Sequence, residues 1–123
     1  MTEEQIALAR RAVACKGWRW MPGMLAVEWA APGMSLTGGR PVRVDERWHE
    51  VGVWLPDLSD PATLGCILAL VREAWGDPHA SVWYDSEYWQ SGNRWSWHAK
   101  EQSLVDYDIE AKALVAALEA APA

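Results

Sequence analysis

Residues 55–78, LPDLSDPATLGCILALVREAWGDP, carry in order the signals of a strand end, a turn, a complete helix and a stop. Ser59 or Asp60 offers a side-chain oxygen to an orphan backbone N–H. Pro61 follows at the first helical position, where its missing N–H costs nothing and its fixed φ suits the helix. Leu64, Ile67, Leu68, Val71 and Trp75 then recur with the period of one apolar helix face. Gly76-Asp77-Pro78 ends the run, because Gly tolerates the left-handed conformation and Pro cannot continue the turn. Ala62, Gly65 and Ala69 form a row of small residues, with Cys66 and Leu70 beside it, and Arg72 and Glu73 are the clearly solvent-directed pair. A glycine inside a helix costs about 1 kcal/mol relative to alanine, and close approach of another backbone would offset that. The stretch predicts a helix with one face on a sheet and part of a second face against another helix.

Upstream, MTEEQIALARRAV predicts a first helix over residues 2–14. Thr2 and Gln5 have the spacing of a capping box, and Glu3 and Glu4 suit the positive end. Residues 18–29, WRWMPGMLAVEW, read as two strands about a turn at Pro22-Gly23. Residues 30–40 carry turn signals and read as loop, Pro41–Val44 as a short edge strand, and Trp48–Leu55 as a half-buried alternating strand. Downstream, 81–84, 87–90 and 94–99 read as an antiparallel meander with short turns. A final helix starts near Asp106 or Asp108 and runs to about Ala120. It has a small stripe at Ile109, Ala113, Ala116 and Ala120 and a larger one at Leu114 and Leu118. The small stripe could meet the Gly65/Ala69 row, or that row could lie at a dimer contact. The expected fold is α+β, a single domain over residues 1–123: a largely antiparallel sheet packed with about three helices in the order α–β(n)–α–β(n)–α, a layered sandwich.

Composition narrows the function. The 123 residues suit one domain, and 50% apolar content is enough for a folded core. No run approaches the roughly 20 apolar residues of a membrane span, and the N-terminus lacks an apolar leader, so a cytoplasmic location is expected. Cys15 and Cys66 fit no metal spacing and read as reduced, packed thiols. Seventeen acids against eleven bases give a net charge of −6, which opposes binding to a phosphate backbone, while their scatter argues against mimicry of nucleic acid. Ten Trp with no Phe is the unusual count. The accompanying preference for Ala, Arg and Gly tracks GC-rich codons, so part of the Trp excess stands where Phe would serve.

His49, His79 and His98 match no zinc motif, and no P-loop, dinucleotide fingerprint or nucleophile elbow is present. A site built on His49 and His98 with Asp45, Glu50 or Asp85 is the weakest reading. No catalytic residue, cofactor or metal is assigned. The better lead is Trp48, Trp83, Trp89, Trp95 and Trp97, on strands where both faces carry large aromatics. Rings beyond the one buried face must be covered by loops or used as contact surface for a protein or a stacked ligand. Arg94, next to Trp95, and Arg43 are candidate anchors for an anion.

Three stretches, GWRWMPGM at 17–24, LPDLSDPATLGCILALVREAWGDP at 55–78 and EAKALVAALEAA at 110–121, together resemble a set of short proteins of tailed phages and prophages, related to those grouped with the phage ABA sandwich domain type. The resemblance implies an α/β fold and a phage accessory protein in the bacterial cytoplasm, and it transfers no catalytic residue. The expected function is binding of a host or phage protein, with counter-defence against a bacterial immune effector as its natural form, and with homo-oligomerisation compatible with it. The alternative is a small-molecule or nucleotide binder that uses aromatic stacking, and after it a metal-dependent enzyme.

Overall fold

A computed structural model describes residues 1–28, 41–50, 53–85 and 94–122. Among them the order is α1 (Glu3–Val13), β1 (Leu25–Glu28), β2 (Pro41–Arg43), β3 (Trp54–Pro56), α2 (Pro61–Trp75), β4 (Ser81–Tyr84), β5 (Trp95–Ala99), β6 (Gln102–Tyr107) and α3 (Glu110–Ala120). The strands form two antiparallel three-stranded sheets, β2-β1-β3 and β4-β5-β6. The fold is α+β with helices packed on sheets, as expected from the order of elements.

The helix ends are built as the sequence indicates. Thr2 and Gln5 complete the capping box of α1, with Gln5 N–H donating to Thr2 Oγ1 at 3.1 Å and Thr2 N–H to Gln5 Oε1 at 2.8 Å. Asp60, rather than Ser59, caps α2, and Gly76 ends it at φ 62°. Asp60 also ties the helix to the first sheet. Its Oδ2 accepts from Thr63 N–H at 3.0 Å, from the Thr63 hydroxyl at 2.8 Å and from Arg43 at 2.6 Å, and the Thr63 hydroxyl oxygen accepts from Leu25 N–H at 2.8 Å. Thr63 is fully buried, so this chain of bonds leaves no polar atom of its side chain unpaired.

The three helices run parallel. Lys112 of α3 pairs with Glu4 near the start of α1 at 2.6 Å, and Arg11 near the end of α1 pairs with Glu119 near the end of α3 at 2.5 Å. Trp75, the last residue of α2, donates its indole N–H to the carbonyl of Ala117 at 2.8 Å, one of the α3 carbonyls left without an intrahelical partner. Parallel alignment adds the helix dipoles, and the charges oppose it: Glu3, Glu4 and Glu110 occupy first turns, and Arg10, Arg11 and Arg72 last turns.

The core centres on α3 rather than α2. Ala111, Ala113, Leu114, Val115, Ala117 and Leu118 are buried, and α3 touches α1, α2 and all three strands of the second sheet. Its small side chains let these neighbours approach from several directions. The close approach uses Gly17, where an added Cβ would lie 3.1 Å from the Ala74 Cβ and 3.2 Å from a Leu118 methyl. The expected meeting of small residues at Ala62, Gly65 and Ala69 does not occur. All three are exposed, and a Cβ on Gly65 would meet nothing within 4 Å. The helix has rolled so that Thr63 and Leu70 face inward with Ile67, Val71 and Trp75, while Leu64 and Leu68 are half-buried.

The strand readings need three corrections. Residues 18–20 form no strand. Trp48–Glu50 are not in a strand either; among the described residues the pairing of β1 with β3 runs from Ala26 opposite Pro56 to Glu28 opposite Trp54. The second sheet gains β6, which the sequence reading assigned partly to a link and partly to the last helix. β5 turns into β6 through Lys100 and Glu101, at φ 45° and 67°. Gly or Asn usually fills such positions. Here Asp77 holds the turn by accepting the Lys100 N–H at 2.9 Å. β4 pairs directly with β5; the expected strand at 87–90 lies outside the described residues, as do the loop at 30–40 and residues 51–52.

Candidate functional site

Among the described residues, aromatic side chains form three groups in contact, and the exposed large rings, Trp83 and Tyr84, lie at the third. The first is a run of indoles beside the first sheet. Trp18 meets Trp20 at a centroid distance of 5.3 Å, Trp20 meets Trp48 at 5.1 Å, and Trp48 meets Trp54 at 5.8 Å. All four are half-buried. The second is a core pair, Trp75 against Trp97 at 5.6 Å, with Trp97 only 4% exposed. Trp97 is therefore withdrawn from any contact surface. Among the described residues the indole N–H groups of Trp18, Trp48 and Trp97 are buried without a hydrogen-bond partner, in keeping with plain aromatic bulk in the place Phe would fill. Trp75 uses its N–H.

The third group lies at the end of the second sheet. Tyr84 of β4 faces Trp95 of β5 at 5.4 Å, and Arg94 lies 5.9 Å above the Tyr84 ring and donates to its hydroxyl at 3.0 Å. Trp83 precedes Tyr84 and points to the opposite face, since successive strand side chains alternate. Trp83 is 40% exposed and Tyr84 50%. β4 is an edge strand among the described residues, so the two rings flank a row of backbone groups unpaired on one side.

The sequence-named residues thus divide. Arg94 and Trp95 come together around Tyr84, a member that the sequence reading passed over, while Trp83 lies next to Tyr84 on the opposite face of β4. Trp48 lies outside any strand, beside the first sheet, Trp97 belongs to the core, and Trp89 lies outside the described residues. Arg43, considered beside Arg94, is instead committed to Asp60 and to the Gly23 carbonyl at 3.0 Å. His49 and His98 are exposed, His98 on β5 and His49 outside any strand, and among the described residues no group of three His, Cys, Asp or Glu side chains could hold a metal ion. Both thiols are free and half-buried. Burial pushes each one up from its ordinary pKa, and each donates to a backbone carbonyl, Cys15 to Arg11 and Cys66 to Pro22, an arrangement that keeps them in the unreactive thiol form. No helix among the described residues is long and apolar enough to cross a membrane. Comparison with family models, with curated proteins and with solved structures returns no match to the chain.

Proposed function

We propose that the protein acts by binding a protein partner along the edge of β4 that is open among the described residues. The observation that carries this reading is the pair of successive exposed aromatics, Trp83 and Tyr84, on opposite faces of that edge. A strand supplied by the partner would hydrogen-bond to the open backbone between them, and each ring would cover one face of the added strand. Arg94, held over Tyr84, adds a cation of the type enriched at interface hot spots. The resemblance of residues 17–24, 55–78 and 110–121 to short proteins of tailed phages supports a phage accessory role in the bacterial cytoplasm, with counter-defence against an immune effector as its form.

Affinity capture from bacterial lysate, followed by titration of the purified captured protein, tests this. Trp83→Ala and Tyr84→Ala are each expected to weaken the titrated complex by about 2 kcal/mol, a loss of roughly thirtyfold. Equal affinity in wild type and both variants removes the β4 edge as the binding surface.

A further inference from the structure

Between the starts of the three helices lies a cleft of about 420 Å³, and no residue of β4 lines it. Small-molecule sites usually span roughly 300–1,000 Å³, so this one is of the size for a single compact ligand. Its walls are apolar. Leu8, Leu58 and Ala111 are buried, Leu64 is half-buried, and Ile109 is exposed beside them. Ile109 occupies the N-cap position of α3 and makes no side-chain cap bond. Ser, Thr, Asp or Asn in that position would stabilise the helix by about 1 kcal/mol. The chain instead places a branched apolar side chain at the cleft, and such breaches of a local rule are expected where function competes with stability.

The polar lining divides by whether it is already engaged. Thr2 and Gln5 cap each other, and the Ser59 hydroxyl donates to the Asp57 carboxylate. Lys112 bridges Glu4 at 2.6 Å and Asp108 at 2.9 Å, so the cation of the lining is answered twice. The Glu110 carboxylate is half-buried and makes no ion pair or hydrogen bond among the described residues. The positive ends of parallel helices draw anions in general. Here the chain's own acids occupy those ends: Glu3 and Glu4 at α1, Asp60 at α2 and Glu110 at α3. With Lys112 doubly paired, the charge left without a counterpart in the lining is negative. An apolar cleft with one uncommitted carboxylate complements a cation carried on an apolar body.

We infer that the cleft binds a small organic amine, with its ammonium paired to Glu110 and its apolar body held among Leu8, Leu58, Leu64 and Ile109. Such an amine is protonated at neutral pH, as a lysine side chain is. The apolar walls favour a compact hydrocarbon body over a polyamine, whose repeated charges would lie against hydrocarbon.

Amide chemical-shift titrations with phenethylamine test this, with three comparison ligands. Phenethyl alcohol keeps the body and lacks the charge, ethylamine keeps the charge and lacks most of the body, and hydrocinnamate reverses the charge. Phenethylamine is expected to bind about tenfold or more tightly than each of the three, with shifts centred on residues 4–8 and 109–112. Glu110→Gln is expected to weaken phenethylamine about tenfold while binding of phenethyl alcohol and the near-ultraviolet circular dichroism stay as in wild type. Ile109→Ala, at an exposed side chain, is expected to weaken amine and alcohol alike. The assignment is overturned if phenethylamine does not saturate below about 10 mM, or if Glu110→Gln binds it as wild type does. It is also overturned if hydrocinnamate binds more tightly than the amine, since the helix ends would then set the preference.

Discussion

Helices α2 and α3 are held in opposite ways. α2 is secured at its ends: Asp60 caps it and links it to β1 and β2, Pro61 starts it, Gly76 stops it, and Trp75 reaches across to α3. One side of it, through Ala62, Gly65 and Ala69, faces outward. α3 has no side-chain N-cap, and Ile109 occupies that position, yet it is buried along most of its length between the other helices and the second sheet. The difference teaches that terminal signals record how far a helix defines itself, while centrality is a property of its neighbours. A helix clasped on several sides can do without capping, since packing supplies most helical stability in proteins.

The largest test truncates the same residue type in both helices. Leu114 on α3 is 1% exposed, whereas Leu64 on α2 is half-buried despite its place on the expected apolar face. Leu114→Ala is expected to cost about 3 kcal/mol and Leu64→Ala about 1 kcal/mol, measured by urea unfolding. Equal losses would erase the distinction between a packed helix and an end-secured one.

Next in size is the α2 terminus. Asp60→Ala removes a cap, breaks the ion pair with Arg43 and leaves the buried Thr63 hydroxyl without its acceptor, an expected loss of about 2 kcal/mol. Hydrogen bonds from Arg43, and then those from Thr63, hold the Asp60 carboxyl below the usual carboxylate range. A carboxyl depressed in the folded state contributes stability that is complete above its unfolded value, about pH 4. That contribution declines as pH falls through the lower folded value. The gap between wild type and Asp60→Ala should therefore narrow between about pH 4 and pH 2. A gap that stays constant over that range would show that the ionised carboxylate is not what the cap contributes.

These contrasts explain what could be read from residue order alone. The caps of α1 and α2 involve partners three residues apart, so local spacing reveals them. The class of fold followed from hairpin-linked strands between helices. β6 was hidden because its turn uses Lys100 and Glu101, whose left-handed backbone is held by the distant Asp77 rather than by Gly or Asn. The alternation through 48–55 overstated a strand: Trp48–Glu50 lie outside any strand, and Trp48 packs its ring between Trp20 and Trp54. Trp95 and Trp97 share a face and look equivalent at a spacing of two. Trp97 packs against Trp75 and is buried, while Trp95 stands farther out beside Tyr84. Their separation depends on where the helices lie over the sheet, information that no local pattern contains. Tyr84 was passed over for the same reason: its exposure follows from β4 being an edge.

The smallest effect separates two meanings of the Ala62/Gly65/Ala69 row. A small-residue row can mark a close contact with another copy, where an added methyl would clash, or an exposed surface, where glycine only weakens the helix. Gly65 has helical backbone and open space around the site of a Cβ. Gly65→Ala is therefore expected to stabilise the chain by up to about 1 kcal/mol, through helix propensity and the narrower unfolded ensemble. Thermal unfolding measures the gain, and light scattering on the same samples reads the mass. A higher midpoint at unchanged mass places the row on a solvent-facing side of α2. A lower midpoint together with loss of a dimer would make that side an interface, and α2, so far distinguished from α3 by its open face, would then be enclosed by a second copy.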